Sequence, residues 1–183
     1  MKTPMYMANA SKKSPSLIFK FAGLLLFATA LGSCSDEIAI AVLERHNQYR
    51  TKHGVPALTL NAQLSVYAKE WAEHCAKTSS LSHRPGNHYG ENLDFTYYPG
   101  VTDAEIAQNS VDLWYNEAQR YTYGTESVQF ATLHFTQIVW KGSLELGVGI
   151  AKNSEGGIFM VCNYNPSGNI EFQFGNNVFE PMD

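Results

Sequence analysis

Ile158-Phe159-Met160-Val161-Cys162-Asn163-Tyr164 decides how this chain folds. Both alternating sets of the run are apolar, with Ile158, Met160 and Cys162 on one side and Phe159 and Val161 on the other. Successive strand residues point to opposite faces, so such a run is a strand covered on both faces. It requires one layer above the sheet and one below. Upstream, Asn153-Ser154-Glu155-Gly156-Gly157 supplies turn formers and Leu146-Gly147-Val148-Gly149-Ile150 a partner strand, which predicts a hairpin. Downstream, Asn165-Pro166-Ser167-Gly168-Asn169 reads as a turn, with Ile170 to Phe174 as a further edge strand.

The covering layers are helical. From Asp36, Ile38, Val42, His46 and Tyr49 recur at spacings of three and four, and Gly54-Val55-Pro56 stops the run. His46 and Arg50 are assigned to helix packing and a local salt-bridge network. A second helix starts at the cap Asn61 and carries Leu64, Ala68, Trp71 and Cys75 on one stripe. A third is expected from Asp103 to Tyr121, capped by Thr102 or Asp103, with Ile106, Ser110, Leu113, Trp114 and Tyr121 on its packed face. Glu117 falls on that face, where a carboxylate costs several kcal/mol (roughly) unless it is paired, protonated or metal-bound. Lys77 to Asp103 shows no sustained period and reads as a long loop holding His83, His88 and Gly90-Glu91-Asn92-Leu93. His134-Phe135-Thr136-Gln137-Ile138-Val139-Trp140 reads as a short helix that sets an imidazole beside an apolar run.

The chain has 183 residues and a formal charge of −4, enough for one domain with a sizeable core. Four of its 13 basic residues, Lys2, Lys12, Lys13 and Lys20, precede the apolar run Phe21 to Leu31. That run is short for a bilayer span and has the positive flank of an export signal. Residues 1–34 are therefore read as a signal peptide and 35–183 as a single domain. Leu31-Gly32-Ser33-Cys34 also resembles a lipobox, so in a bacterial host Cys34 is the lipid anchor, and otherwise cleavage nearby releases a secreted protein. Either way the destination is extracellular or cell-surface. Without residues 1–33, 9 basic residues face 17 acidic ones, which argues against nucleic acid and, apart from that anchor, against a membrane. Only Cys75 and Cys162 remain, so there is no disulfide framework, and free thiols and a single bridge stay open.

No Cys-x-x-Cys, His-Glu-x-x-His, Gly-x-Ser-x-Gly or phosphate-binding glycine loop is present, which removes the commoner metalloprotease, hydrolase and nucleotide-binding readings. What remains is a scattered set of His and Glu that only the fold can assemble.

Four segments, in order, resemble the CAP superfamily of cysteine-rich secretory, antigen 5 and plant pathogenesis-related proteins. They are His46-Asn47-Gln48-Tyr49-Arg50, Gly90-Glu91-Asn92-Leu93, His134 to Ser143, and Phe159 to Asn169, within a likeness covering about residues 37–175. The resemblance implies an α+β fold, a three-layer α-β-α sandwich around a mainly antiparallel sheet. It also implies a cleft lined by His83, Glu91, Glu117 and His134. Two imidazoles and two carboxylates suit a divalent cation, zinc in particular.

Three functions are compatible with this pattern. The first is an exported binding protein whose cleft, modulated by the cation, engages a lipid, sterol, peptide or surface-protein partner. The second is a hydrolase in which Glu91 or Glu117 acts as base with His134. It has less support, because no nucleophile motif accompanies those residues. The third is a polar network that fixes the long loop to the sandwich.

Overall fold

A computed structural model describes residues 34–97 and 100–182. The expected signal peptide, and with it the side chain of Cys34, lies outside the described residues. Helix α1 (Cys34–Lys52) is followed by strand β1 (Thr59–Leu60), helix α2 (Ala62–Thr78) and strand β2 (Gly90–Thr96). Helix α3 (Asp103–Tyr115) leads into a 3-10 turn (Asn116–Arg120), and a second 3-10 turn (Phe130–Thr132) precedes helix α4 (Leu133–Val139). Strands β3 (Glu145–Lys152) and β4 (Ile158–Asn165) form the hairpin, and a short helix α5 (Phe174–Asn177) follows. Among the described residues no helix is long and apolar enough to cross a membrane.

The sheet order is β1-β3-β4-β2, with β1 parallel to β3 and both other pairs antiparallel. This is the expected mainly antiparallel sheet, and its central strand β4 is buried from Ile158 to Tyr164. Met160, Cys162 and Tyr164 pack in one cluster with Val42, Val111, Trp114, Phe135 and Ile138, which belong to α1, α3 and α4. Val161 packs with Ala68 and Ala72 of α2, and Phe159 with Cys75 and Ala76. The two alternating sets of the strand thus serve two layers. Helix α2 lies directly on β3, because a Cβ at Gly147 or Gly149 would collide with the backbone of Leu64 or of Ala68 and Lys69. Cys75 and Cys162 are both buried free thiols.

Local chemistry sets the helix limits. Asn61 accepts from Leu64 N–H, and Thr102 and Glu105 form a reciprocal capping box. Arg45 grips Asp112 through two bonds of 2.5 and 2.8 Å, and Tyr49 donates to the same carboxylate, which fastens α1 to α3.

The structure corrects the sequence reading in three places. The stretch read as a long loop contains β2, whose polar residues Glu91, Asn92 and Asp94 each find a partner, so no apolar alternation marks it. The third helix ends at Tyr115 and the chain tightens into a 3-10 turn; its packed face runs through Ala107, Ser110 and Val111, leaving Leu113 58% exposed. Ile170 to Phe174 is no strand, since Asn169 and Phe172 take φ of 58° and 64°, in the left-handed region that strand pairing excludes.

Candidate functional site

The structure places the four expected residues in two His–Glu pairs. Glu91, on β2, accepts Nδ1–H of His83 at 2.8 Å and also the backbone N–H of Arg84 at 3.1 Å. Asn163 of β4 donates to its second oxygen at 3.3 Å. Glu117, in the 3-10 turn after α3, accepts Nδ1–H of His134 at 2.7 Å. Its other oxygen accepts the backbone N–H groups of His134 and Phe135 at 3.0 and 3.2 Å. The costly carboxylate of the sequence reading is therefore a cap: it satisfies free donors in the first turn of α4, where negative charge is also favoured by the helix dipole.

A carboxylate can only accept, so in each pair the histidine donates from Nδ1 and its Nε2 lone pair is the ring's free acceptor. The His134 ring stacks on Trp114 at a centroid distance of 5.9 Å and 17° between planes, which fixes its tilt. His83 is held through its neighbours. Trp71 Nε1–H donates to Ser82 O, and the Arg84 guanidinium sits 3.7 Å from the Tyr67 ring centroid while donating to Tyr67 O. The Glu91 carboxylate raises the pKa of His83 above its ordinary value, against the opposing effect of desolvation.

A cleft of about 390 Å³ brings His83, Glu91 and His134 together. Glu117 is not among its lining residues and reaches the cleft only through His134, and His88 is exposed outside it. The remaining lining is rich in amides, with Asn87, Asn92, Gln137 and Asn169. These were not singled out from the sequence, although three of them lie in the quoted segments. Gln137 shows their role. Its side chain donates to Ser143 Oγ and accepts from Gly168 N–H, and a Cβ at Gly90 would collide with it. Among the described residues no three His, Cys, Asp or Glu side chains form a group that could hold a metal.

A buried chain of hydrogen bonds supports the cleft from below. Asn92 Nδ2 donates to His134 O and to Tyr164 Oη, Tyr164 donates to His46 Nε2 at 2.7 Å, and His46 Nδ1–H donates to Val42 O at 2.8 Å. His46 is thus held neutral, and burial lowers its pKa to about 4. The unfolded chain takes up this proton near pH 6.5, well before the folded chain does. The stability contributed by neutral His46 is complete above that pH and is lost as pH falls toward 4. From pH 7 to pH 5 the loss is about 2 kcal/mol. Melting curves across this range on wild type and His46→Gln should show a shallower acid slope in the variant.

The family described as CAP: Cysteine-rich secretory protein family matches residues 43–164. Human Golgi-associated plant pathogenesis-related protein 1 is 39% identical over 154 residues, covering 81% of this chain and 97% of that protein. Secreted protein RBT4 of Candida albicans is 36% identical over 145 residues, covering 76% of this chain and 37% of that longer protein. Among solved structures, the crystal structure of NaASP2 with Zn2+ superposes with a TM-score of 0.66 at 20% identity, over 81% of this chain and 87% of that one. The three-layer fold and these likenesses agree, and the chain is a member of the CAP family of cysteine-rich secretory proteins.

Proposed function

We propose that this chain is an exported binding protein whose cleft takes a divalent cation, zinc foremost, on Nε2 of His83 and Nε2 of His134. The observation that carries this reading is the pair of Nδ1–H to glutamate bonds, at 2.8 and 2.7 Å. Carboxylates behind ligand histidines fix their tautomer and raise their basicity. Glu91 and Glu117 are thus orienting groups, not ligands, which differs from the four-ligand set implied by resemblance. Two imidazoles leave coordination positions open, so the site would bind zinc less tightly than a four-ligand structural site. When bound, the cation supplies a Lewis-acidic centre to which a partner's oxygen or nitrogen can attach.

The amide-rich lining favours a hydrogen-bonding partner, a peptide or protein surface, over an acyl chain or sterol ring. The secreted relative and the export-type N-terminus support an extracellular or cell-surface place for that encounter. The hydrolase reading has less support, because no nucleophile motif accompanies these residues and both oxygens of Glu91 and of Glu117 are engaged in orienting hydrogen bonds. Calorimetric titration with zinc at pH 7.5 is expected to give a one-site isotherm for wild type and none for His134→Ala. Protons compete for His83 Nε2, so the affinity should fall as the solution is acidified. Identical isotherms for the two proteins would overturn the cation reading.

A further inference from the structure

Strand β3 has one edge that is only partly covered. β4 pairs with it along its whole length, from Glu145 to Lys152. On the other edge β1 pairs only with Glu145 and Leu146 before the chain turns into α2. Asn61 N–H donates to Leu146 O on that side, while Asn153 N–H donates across the hairpin to Gly157 O. Alternation along a strand therefore turns the main-chain groups of the even-numbered residues away from β4. Ser65 Oγ accepts Val148 N–H at 3.2 Å. Val148 C=O, both main-chain groups of Ile150, and Lys152 N–H have no hydrogen-bond partner among the described residues.

A groove of about 310 Å³ follows this same edge. Its lining includes Val148 to Lys152 without a gap, with Ile38 and Asp103 from the α1 and α3 layer and Lys69 from the α2 layer. Successive side chains of a strand point to opposite faces, so continuous lining means that the groove lies along the backbone edge itself. Folds commonly shield such edges with lysine. Here both lysine ammoniums are already engaged, Lys69 by Glu73 and Lys152 by Asp103 at 2.6 Å.

We propose that this groove takes an extended peptide segment, which adds to β3 as a strand continuing the line of β1. The recognising chemistry is the row of main-chain groups: acceptors at Val148 and Ile150, donors at Ile150 and Lys152. An extended backbone presents N–H and C=O groups at the matching two-residue spacing. An acyl chain would fill the apolar wall at Ile38 and Ile150 and leave all four groups unsatisfied. β1 already occupies the first two positions of this edge, so the edge accepts a strand in this sheet. The wall at Ile38 favours apolar side chains on one face of the ligand, and the Lys69–Glu73 pair favours polar ones on the other. The groove shares no lining residue with the His/Glu cleft, so its failure and the failure of the cation reading are separable.

The probe is a fluorescein-labelled hexapeptide of alternating Val and Thr, read by anisotropy and by amide chemical shifts on the full chain. Binding is expected to shift the Ile150 and Lys152 amides and slow their hydrogen exchange. The same peptide N-methylated at alternate residues on its pairing edge is expected to bind at least about tenfold more weakly. Ile150→Pro removes an N–H that β4 does not use, so the variant is expected to keep the wild-type circular dichroism spectrum and lose the peptide. The N-methylated arm uses wild-type protein and stands even if that variant fails to fold. Absence of binding at 1 mM peptide, equal binding of the two peptides, shifts confined to the cleft, or displacement of the shifts to dodecanoate alone would each overturn the proposal.

Discussion

Arg50→Ala is expected to lower the stability of the folded chain by about 4 kcal/mol, a large part of the roughly 5–15 kcal/mol available to a domain. The side chain is fully buried and, in place of the expected salt-bridge network, has no carboxylate partner among the described residues. Its guanidinium donates instead to four backbone carbonyls: Pro56 at 2.7 Å, Ile138 at 2.8 Å, and Trp140 and Ser143 at 2.9 Å. Those carbonyls belong to the turn before β1, the end of α4 and the approach to β3. One side chain therefore ties α1 to three segments, and of its four acceptors only Trp140 O also takes a backbone donor, the N–H of Ser143 at 3.1 Å. Desolvation lowers its pKa to about 10, so it stays charged at neutral pH, next to the negative end of α4. Truncation leaves three carbonyls, those of Pro56, Ile138 and Ser143, without that donor, each costing about 1–3 kcal/mol, offset in part by release of a desolvated cation. Arg50→Lys should recover only part of the loss, because an ammonium cannot reproduce the planar fork. Urea titration at pH 7 checks this, and a wild-type midpoint in Arg50→Ala would refute it.

Arg50 also illustrates what was legible in the sequence. Its helical spacing next to His46 marked it as packed, but its acceptors are backbone atoms up to 93 residues away, which no side-chain pattern reveals. The layered fold was legible because β4 advertises two buried faces in seven residues. β2 was hidden for the opposite reason. Glu91, Asn92 and Asp94 are turned over to His83, Tyr164 and Ser110, so the strand is written in polar residues. The four expected site residues could be named by resemblance, but not their roles. Those depend on backbone donors at Arg84, His134 and Phe135, which become donors to the glutamates only once the loop and α4 are in place.

Glu117 is where stability and site separate most clearly. Glu117→Ala removes the acceptor of two backbone N–H groups at the start of α4 and the anchor of the His134 ring. The expected cost is about 3 kcal/mol, from two part-buried donors left unpaired and the loss of a charge at a helix N-terminus. Glu117→Gln behaves differently. Its amide oxygen still accepts from the backbone, so the stability loss should stay near 1 kcal/mol. Its amide nitrogen, however, is a donor, and facing His134 Nδ1 it makes that nitrogen the acceptor and moves the ring proton to Nε2. The lone pair proposed to meet the cation is then gone, while the fold remains. Zinc affinity is expected to fall about 10- to 100-fold in Glu117→Gln, the usual range for losing an orienting partner behind a ligand histidine. Imidazole nitrogen shifts in the metal-free protein would report the tautomer directly: Nδ1–H in wild type, Nε2–H in the variant. A variant that changes tautomer yet binds zinc as wild type does would show that His134 Nε2 is not a ligand. One that keeps the wild-type tautomer would show that Trp114 and the α4 backbone, not the carboxylate, orient the ring.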